Sequence, residues 1–182
     1  IHRQQPPMPE KVQTESGKLL FTRADIETGR TVWQSIGGQQ LGSIWGHGAL
    51  VAPDWSADWL HRETLALLSQ SSQRQFGQPF KSLSAGDQAK LTAELQPKLR
   101  SNTYDPATGV LTVSEDRALA MQEVAAHYET VFSEDPAGAA LRETYAMKDA
   151  TVDTAEHRRQ MSGFFFWTSW AAVTQRPGET VS

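Results

Sequence analysis

Two imidazoles and two carboxylates fall close together in the first third of the chain: His47, Asp54, Asp58 and His61. Asp58 and His61 are three apart, so on a helix they share a face, and an Asp–His pair so placed can hold a hard or borderline divalent ion. This set defines one reading, a small metal-dependent enzyme. It lacks the fixed H-E-x-x-H pattern of a helical zinc site. An exposed Asp–His pair near a helix N-terminus is the commoner meaning of such a pattern. Other chemistries lack their residues. Gly42-Ser43 does not form a G-x-S-x-G elbow, and no P-loop or dinucleotide fingerprint follows a strand. Glu134 and Asp135 stand just before Pro136, where opening a helix accounts for them. The chain contains no cysteine, which excludes a disulfide scaffold, thiolate zinc, iron–sulfur clusters, a thiol nucleophile and thioether-bound haem.

The 182 residues carry 17 Lys and Arg against 21 Asp and Glu, a net charge of −4. No broad basic face can be built from that balance, so nucleic acid is not an expected partner. A hydrophobic fraction of 38% is enough for one core. No run of about 18 apolar residues occurs that would span a membrane.

The elements that would position these residues are mostly helical. Residues 1–16, polar and with Pro6, Pro7 and Pro9, read as an extended leader. Thr22 and Asp25 form a capping box, followed by Ile26, Gly29, Trp33 and Ile36 on one helical face. At Gly29 the missing side chain admits a close neighbour. The glycines from Gly37 to Gly48 mark a shaped loop. Asp54 or Ser56 caps a helix to about Ser71. A third helix starts at Ser84 and carries Leu91, Leu95 and Leu99. Asp105 to Gly109 turns into a short extended piece, Val110 to Val113. Further helices are expected over about Glu115–Phe132, from Asp135, and over about Thr154–Val173. The sum is an all-α domain of six helices with long connections and almost no strand. Within the last helix Phe164, Phe165, Phe166, Trp167 and Trp170 leave no polar face; such a helix is either central in a core or lies against lipid or a partner.

The stretch from Gly42 to Glu63, GSIWGHGALVAPDWSADWLHRE, resembles the N-terminal extracytoplasmic domain of quinol-dependent nitric oxide reductases. The later run FFFWTSWAA (164–172) and the tail RPGETV (176–181) resemble the same family's segment leading back to the membrane. The resemblance covers about Phe21 to Ser182. It implies a cytochrome c-like helical domain elaborated by extra helices. In the intact enzyme this domain follows one transmembrane helix and precedes a bundle holding haem b, haem b3 and a non-haem iron. Residues 1–20 would be the leader, 21–162 the cytochrome c-like domain, and 163–182 an aromatic juxtamembrane helix and tail. Partners would be the protein's own transmembrane catalytic region, with quinol and nitric oxide as substrates in denitrification. The location would be the periplasmic face, with a membrane interface near the C-terminus.

The related haem-c-dependent enzymes carry C-x-x-C-H and then T-L-L-G-E-G-A-Y-F-A-P-E. Laying Gly46–Asp54 on the second motif puts Gly38 and Leu41 at the two cysteines and Gly42 at the axial histidine. None of the three can hold haem c. The resemblance therefore implies a haem-free domain with no catalytic residue, its tryptophans filling the haem volume; an empty cleft beside Gly38 to Gly42 would contradict that. It also implies a calcium role for the main chain of Gly48 and Leu50, confined to the intact enzyme. The haem-c-dependent enzymes have Glu where this chain has His47 and Tyr where it has Leu50, a departure of little weight if the ligands are carbonyls. Ile44, Trp45, His47, Pro53 and Asp54, with Phe164, Phe165, Trp167 and Trp170, are the expected docking surface. Beside this stand the metal-enzyme reading and a third, a free-standing periplasmic ligand-binding module.

Overall fold

A computed structural model describes residues 6–48 and 51–176. Six helices dominate: α1 (Arg23–Ser35), α2 (Trp55–Phe76), α3 (Ala85–Arg100), α4 (Glu115–Phe132), α5 (Ala139–Thr144) and α6 (Ala155–Val173). Side chains write their starts. Thr22 accepts from the Asp25 N–H while Asp25 accepts from the Thr22 N–H, a complete capping box. Asp54, Ser84, Ser114 and Thr154 each accept the N–H three residues on. α2 runs past Ser71 to Gly77, whose φ of +64° is the left-handed conformation that ends a helix.

Six short strands complete the domain: β1 (Lys11–Thr14), β2 (Leu19–Thr22), β3 (Ser43–Ile44), β4 (His47–Gly48), β5 (Tyr104–Asp105) and β6 (Val110–Val113). Four of them form one sheet in the order β2-β1-β6-β5, with β1 parallel to β6 and the other neighbours antiparallel. The fold remains all-α in class, yet residues 11–20 are more than a leader. Val12 pairs with Phe21 and Leu111, and both Val12 and Leu111 are fully buried. Four-residue strands are too short to display a period, and the parallel partner of β1 lies about a hundred residues away, so nothing local announces the pairing.

The core is organised around α6, which packs on α1, α2 and α4. Gly29 lets α1 cross it closely: a Cβ there would lie 2.0 Å from the Gln160 carbonyl oxygen. Phe164, Phe165, Phe166, Trp167 and Trp170 are all at most 6% exposed. Trp55 stacks on Phe165 with 5.5 Å between centroids and 4° between planes, and Phe166 packs against Phe21 and Trp59. The expected docking role of Phe164, Phe165, Trp167 and Trp170 is thereby corrected. Four elements of the domain itself cover this helix, each ring gaining about 1.5–3 kcal/mol of burial, and no side is left for lipid. Among the described residues no helix is long and apolar enough to cross a membrane. A second, smaller core joins Leu91, Leu95 and Leu99 of α3 to Leu67 and Leu68 of α2.

Candidate functional site

The glycine-rich segment before α2 is a tight hairpin, β3 and β4 pairing Ser43 with Gly48 and Ile44 with His47. Its two turn residues, Trp45 and Gly46, have φ of +53° and +77°. That suits a mirror-image hairpin turn, but the left-handed region strains a tryptophan. Several bonds hold it there. The Trp45 indole N–H donates to the Thr168 carbonyl at 2.8 Å, and its ring lies 5.7 Å from that of Trp167. The Trp45 backbone N–H donates to Ser56 Oγ at 3.2 Å. Trp45 stays 43% exposed.

Asp54 is the knot of this segment. Its carboxylate accepts from Ser43 Oγ at 2.9 Å, from the Gly46 N–H at 2.5 Å and from the Ala57 N–H at 3.1 Å, where it caps α2. Burial alone would raise its pKa; the bonds from Ala57, Gly46 and Ser43 outweigh it and hold the group below the ordinary carboxylate range. Asp58 is likewise committed, its Oδ2 accepting from the Tyr128 hydroxyl at 2.6 Å and from Arg62 Nε at 2.9 Å. Burial, with Asp58 beside it, pushes the Tyr128 phenol well above its usual value.

The quartet His47, Asp54, Asp58 and His61 is therefore not a metal centre. Among the described residues no group of three or more potential ligands converges, the Asp54 carboxylate and Asp58 Oδ2 are already engaged by donors, and His47 and His61 are exposed. Nor do Ile44 and Asp54 form free surface: Ile44 is 7% exposed and Asp54 is turned into its own loop. Of the expected docking residues, Trp45 and His47 are exposed and Pro53 is half-buried. Gly48 lies on β4 with φ +142°; Leu50 lies outside the described residues.

The ground beside Gly38 and Gly42 is occupied by tryptophan. A Cβ at Gly38 would meet the Trp33 ring at 3.7 Å, in ordinary contact. A Cβ at Gly42 would meet Trp55 Nε1 at 2.4 Å and the Pro53 carbonyl oxygen at 2.7 Å. No histidine side chain at position 42 can coexist with Trp55 in this place, and no thiol is available for a thioether. Haem c does not fit these residues.

Two buried polar networks escaped sequence reasoning. Glu63, fully buried, accepts from Trp59 Nε1 at 2.8 Å and from Arg117 Nε at 2.5 Å, and the Arg117 guanidinium lies 5.5 Å from the Phe166 ring centre. Arg142, 2% exposed, donates to the carbonyls of Thr130 and Asp135 and to Asp149. The only local signal was the helical spacing of Trp59 and Glu63; the arginine partners lie on other elements.

Fold and loop together define a mainly helical domain whose glycine-rich segment is a hairpin packed on tryptophan. Over residues 9–182 the chain matches the NorB cytochrome c-like domain family, a domain of nitric oxide reductase, and it belongs to that family. No curated protein matches it.

Proposed function

We propose that the chain is the haem-free, non-catalytic extracytoplasmic domain of a quinol-dependent nitric oxide reductase. In the intact enzyme, the membrane region would carry haem b, haem b3 and non-haem iron, take electrons from quinol and reduce nitric oxide to nitrous oxide and water. The domain caps that region on the periplasmic side, and electrons bypass it. The observation that carries this reading is the collision between any side chain at position 42 and Trp55, in a family named for cytochrome c and a chain without cysteine. The fold is kept by aromatic packing in place of a porphyrin, each large ring burying about 150–250 Å².

Docking falls to the exposed part of the hairpin, Trp45 and His47, with Val51, which is 60% exposed. The main chain of Gly48 and Leu50 offers hard carbonyl oxygens suited to calcium when the membrane region supplies the remaining ligands. The isolated chain alone holds no calcium tightly. The test is an absorbance spectrum of the chain produced with ample haem and the c-type attachment machinery. The expected spectrum has only the aromatic protein band; a Soret band that survives denaturation overturns the reading. Calcium titration of the isolated chain is the second check, with tight binding the adverse result.

A further inference from the structure

A cleft of about 260 Å³ opens where Pro6, α1, the β3–β4 hairpin and α6 meet. Its walls are the rings of Trp33, Trp45, Phe164 and Trp167, and its polar residues are Arg30, Gln34 and His47. In a chain of net charge −4, this lining contains no acid. Arg23, Arg74 and Arg159 each hold a carboxylate, whereas Arg30 has no ion-pair partner among the described residues. Trp45 is kept at the mouth in a strained conformation, half in water, by its bond to Thr168. An observed backbone outlier of this kind points towards function.

Flat aromatic walls select a flat apolar body, and an unpaired guanidinium selects an oxyanion. The volume is that of a fragment, below the range of drug-sized pockets. We propose that this cleft binds a planar aromatic ring of one or two fused cycles bearing a carboxylate-type oxyanion, the ring stacking on the indoles and the oxyanion pairing with Arg30. The Gln34 amide is a further donor at that end. This inference uses neither the absence of haem nor the membrane partner, although it shares Trp45 and His47 with the proposed docking surface.

The experiment is calorimetric titration of the purified chain with naphthoate, neutral naphthamide and cyclohexanecarboxylate as probes. Naphthoate is expected to bind about tenfold more tightly than naphthamide, the factor that one charge-assisted pair supplies. Arg30→Gln should abolish that difference by weakening naphthoate alone, while Trp45→Leu weakens both aromatic probes and Arg74→Gln changes neither. Cyclohexanecarboxylate should bind more weakly than naphthoate. Four results overturn the proposal: no naphthoate binding at millimolar concentration, equal affinity for naphthoate and naphthamide, equal affinity for the two acids, or naphthoate binding unchanged by Arg30→Gln. Arg30 is exposed and on the outside of α1, so its substitution leaves the fold intact, and an unchanged circular dichroism spectrum confirms this.

Discussion

Gly42 and Gly86 separate two meanings of the same residue. At Gly86, in the first turn of α3, a Cβ would meet nothing within 4 Å, so Gly86→Ala should stabilise the domain by about 0.5 kcal/mol through the unfolded chain and helix propensity. At Gly42 the added atom would meet an indole nitrogen and a backbone carbonyl; Gly42→Ala should cost about 3 kcal/mol, the upper part of the range for overpacking. Urea denaturation of the two variants beside the parent chain checks both signs, and a neutral Gly42→Ala would mean that Trp55 is not fixed where it lies. Asp54 shows why residue-scale reading of the site was incomplete. The sequence offers it as both a cap and a metal ligand, and both readings use the same carboxylate. What decides is the return of Ser43 and Gly46 onto that carboxylate, through strands of two residues that no periodicity could reveal.

Helices and strands were legible to different degrees for a physical reason. Each long helix begins at a side chain able to cap it and carries an apolar stripe over several turns, so both signals lie within one stretch of chain. The sheet instead joins β1 to β6 across most of the domain. The apolar run of α6 was legible as apolar all round, but sequence alone could not choose between core and lipid; the choice was made by α1, α2, α4 and the sheet closing over it. Gly29 is the sharpest case of element-scale legibility: the missing side chain was readable, its neighbour was not. Since the obstructing atoms are the Gln160 backbone, α1 cannot accommodate Gly29→Ala without sliding off α6. The expected loss is about 3 kcal/mol, seen as a fall in Tm of about 10 °C in a thermal melt. Thr22→Ala removes only one cap at the other end of the same contact and should cost about 1 kcal/mol. If Gly29→Ala melts no lower than Thr22→Ala, the α1–α6 crossing is not the tight contact described.

At the scale of the whole molecule the ionisable groups fix how stability depends on pH. Burial would raise the Asp25 carboxyl, but the Thr22 N–H and Arg159 outweigh it and hold it below its ordinary value, as Ala57, Gly46 and Ser43 do for Asp54. Arg74 does the same for Asp116. A carboxyl depressed in the folded state binds fewer protons than in the unfolded chain, so its contribution is present above the ordinary carboxylate value and is lost as pH falls through the folded one. His127 is lowered from 6.5 by burial and by Arg62; the unfolded chain takes up that proton first, and stability declines as pH falls below about 6.5. Tyr128 and Tyr145 are raised by burial and by Asp58. Their contribution is present below the ordinary phenol value and is lost as pH rises above about 10. The urea midpoint should therefore be flat between about pH 7 and 9, slope gently down below 6.5, fall steeply below about 4 and fall again in strong alkali. His127→Gln should remove the gentle slope, which the burial of that imidazole produces, and leave the steep one, which the depressed carboxylates supply. Tyr128→Phe should blunt the alkaline fall at the cost of leaving Asp58 with Arg62 alone. A midpoint that kept rising as pH fell from 7 to 5 would mean that these groups are not held as the structure places them.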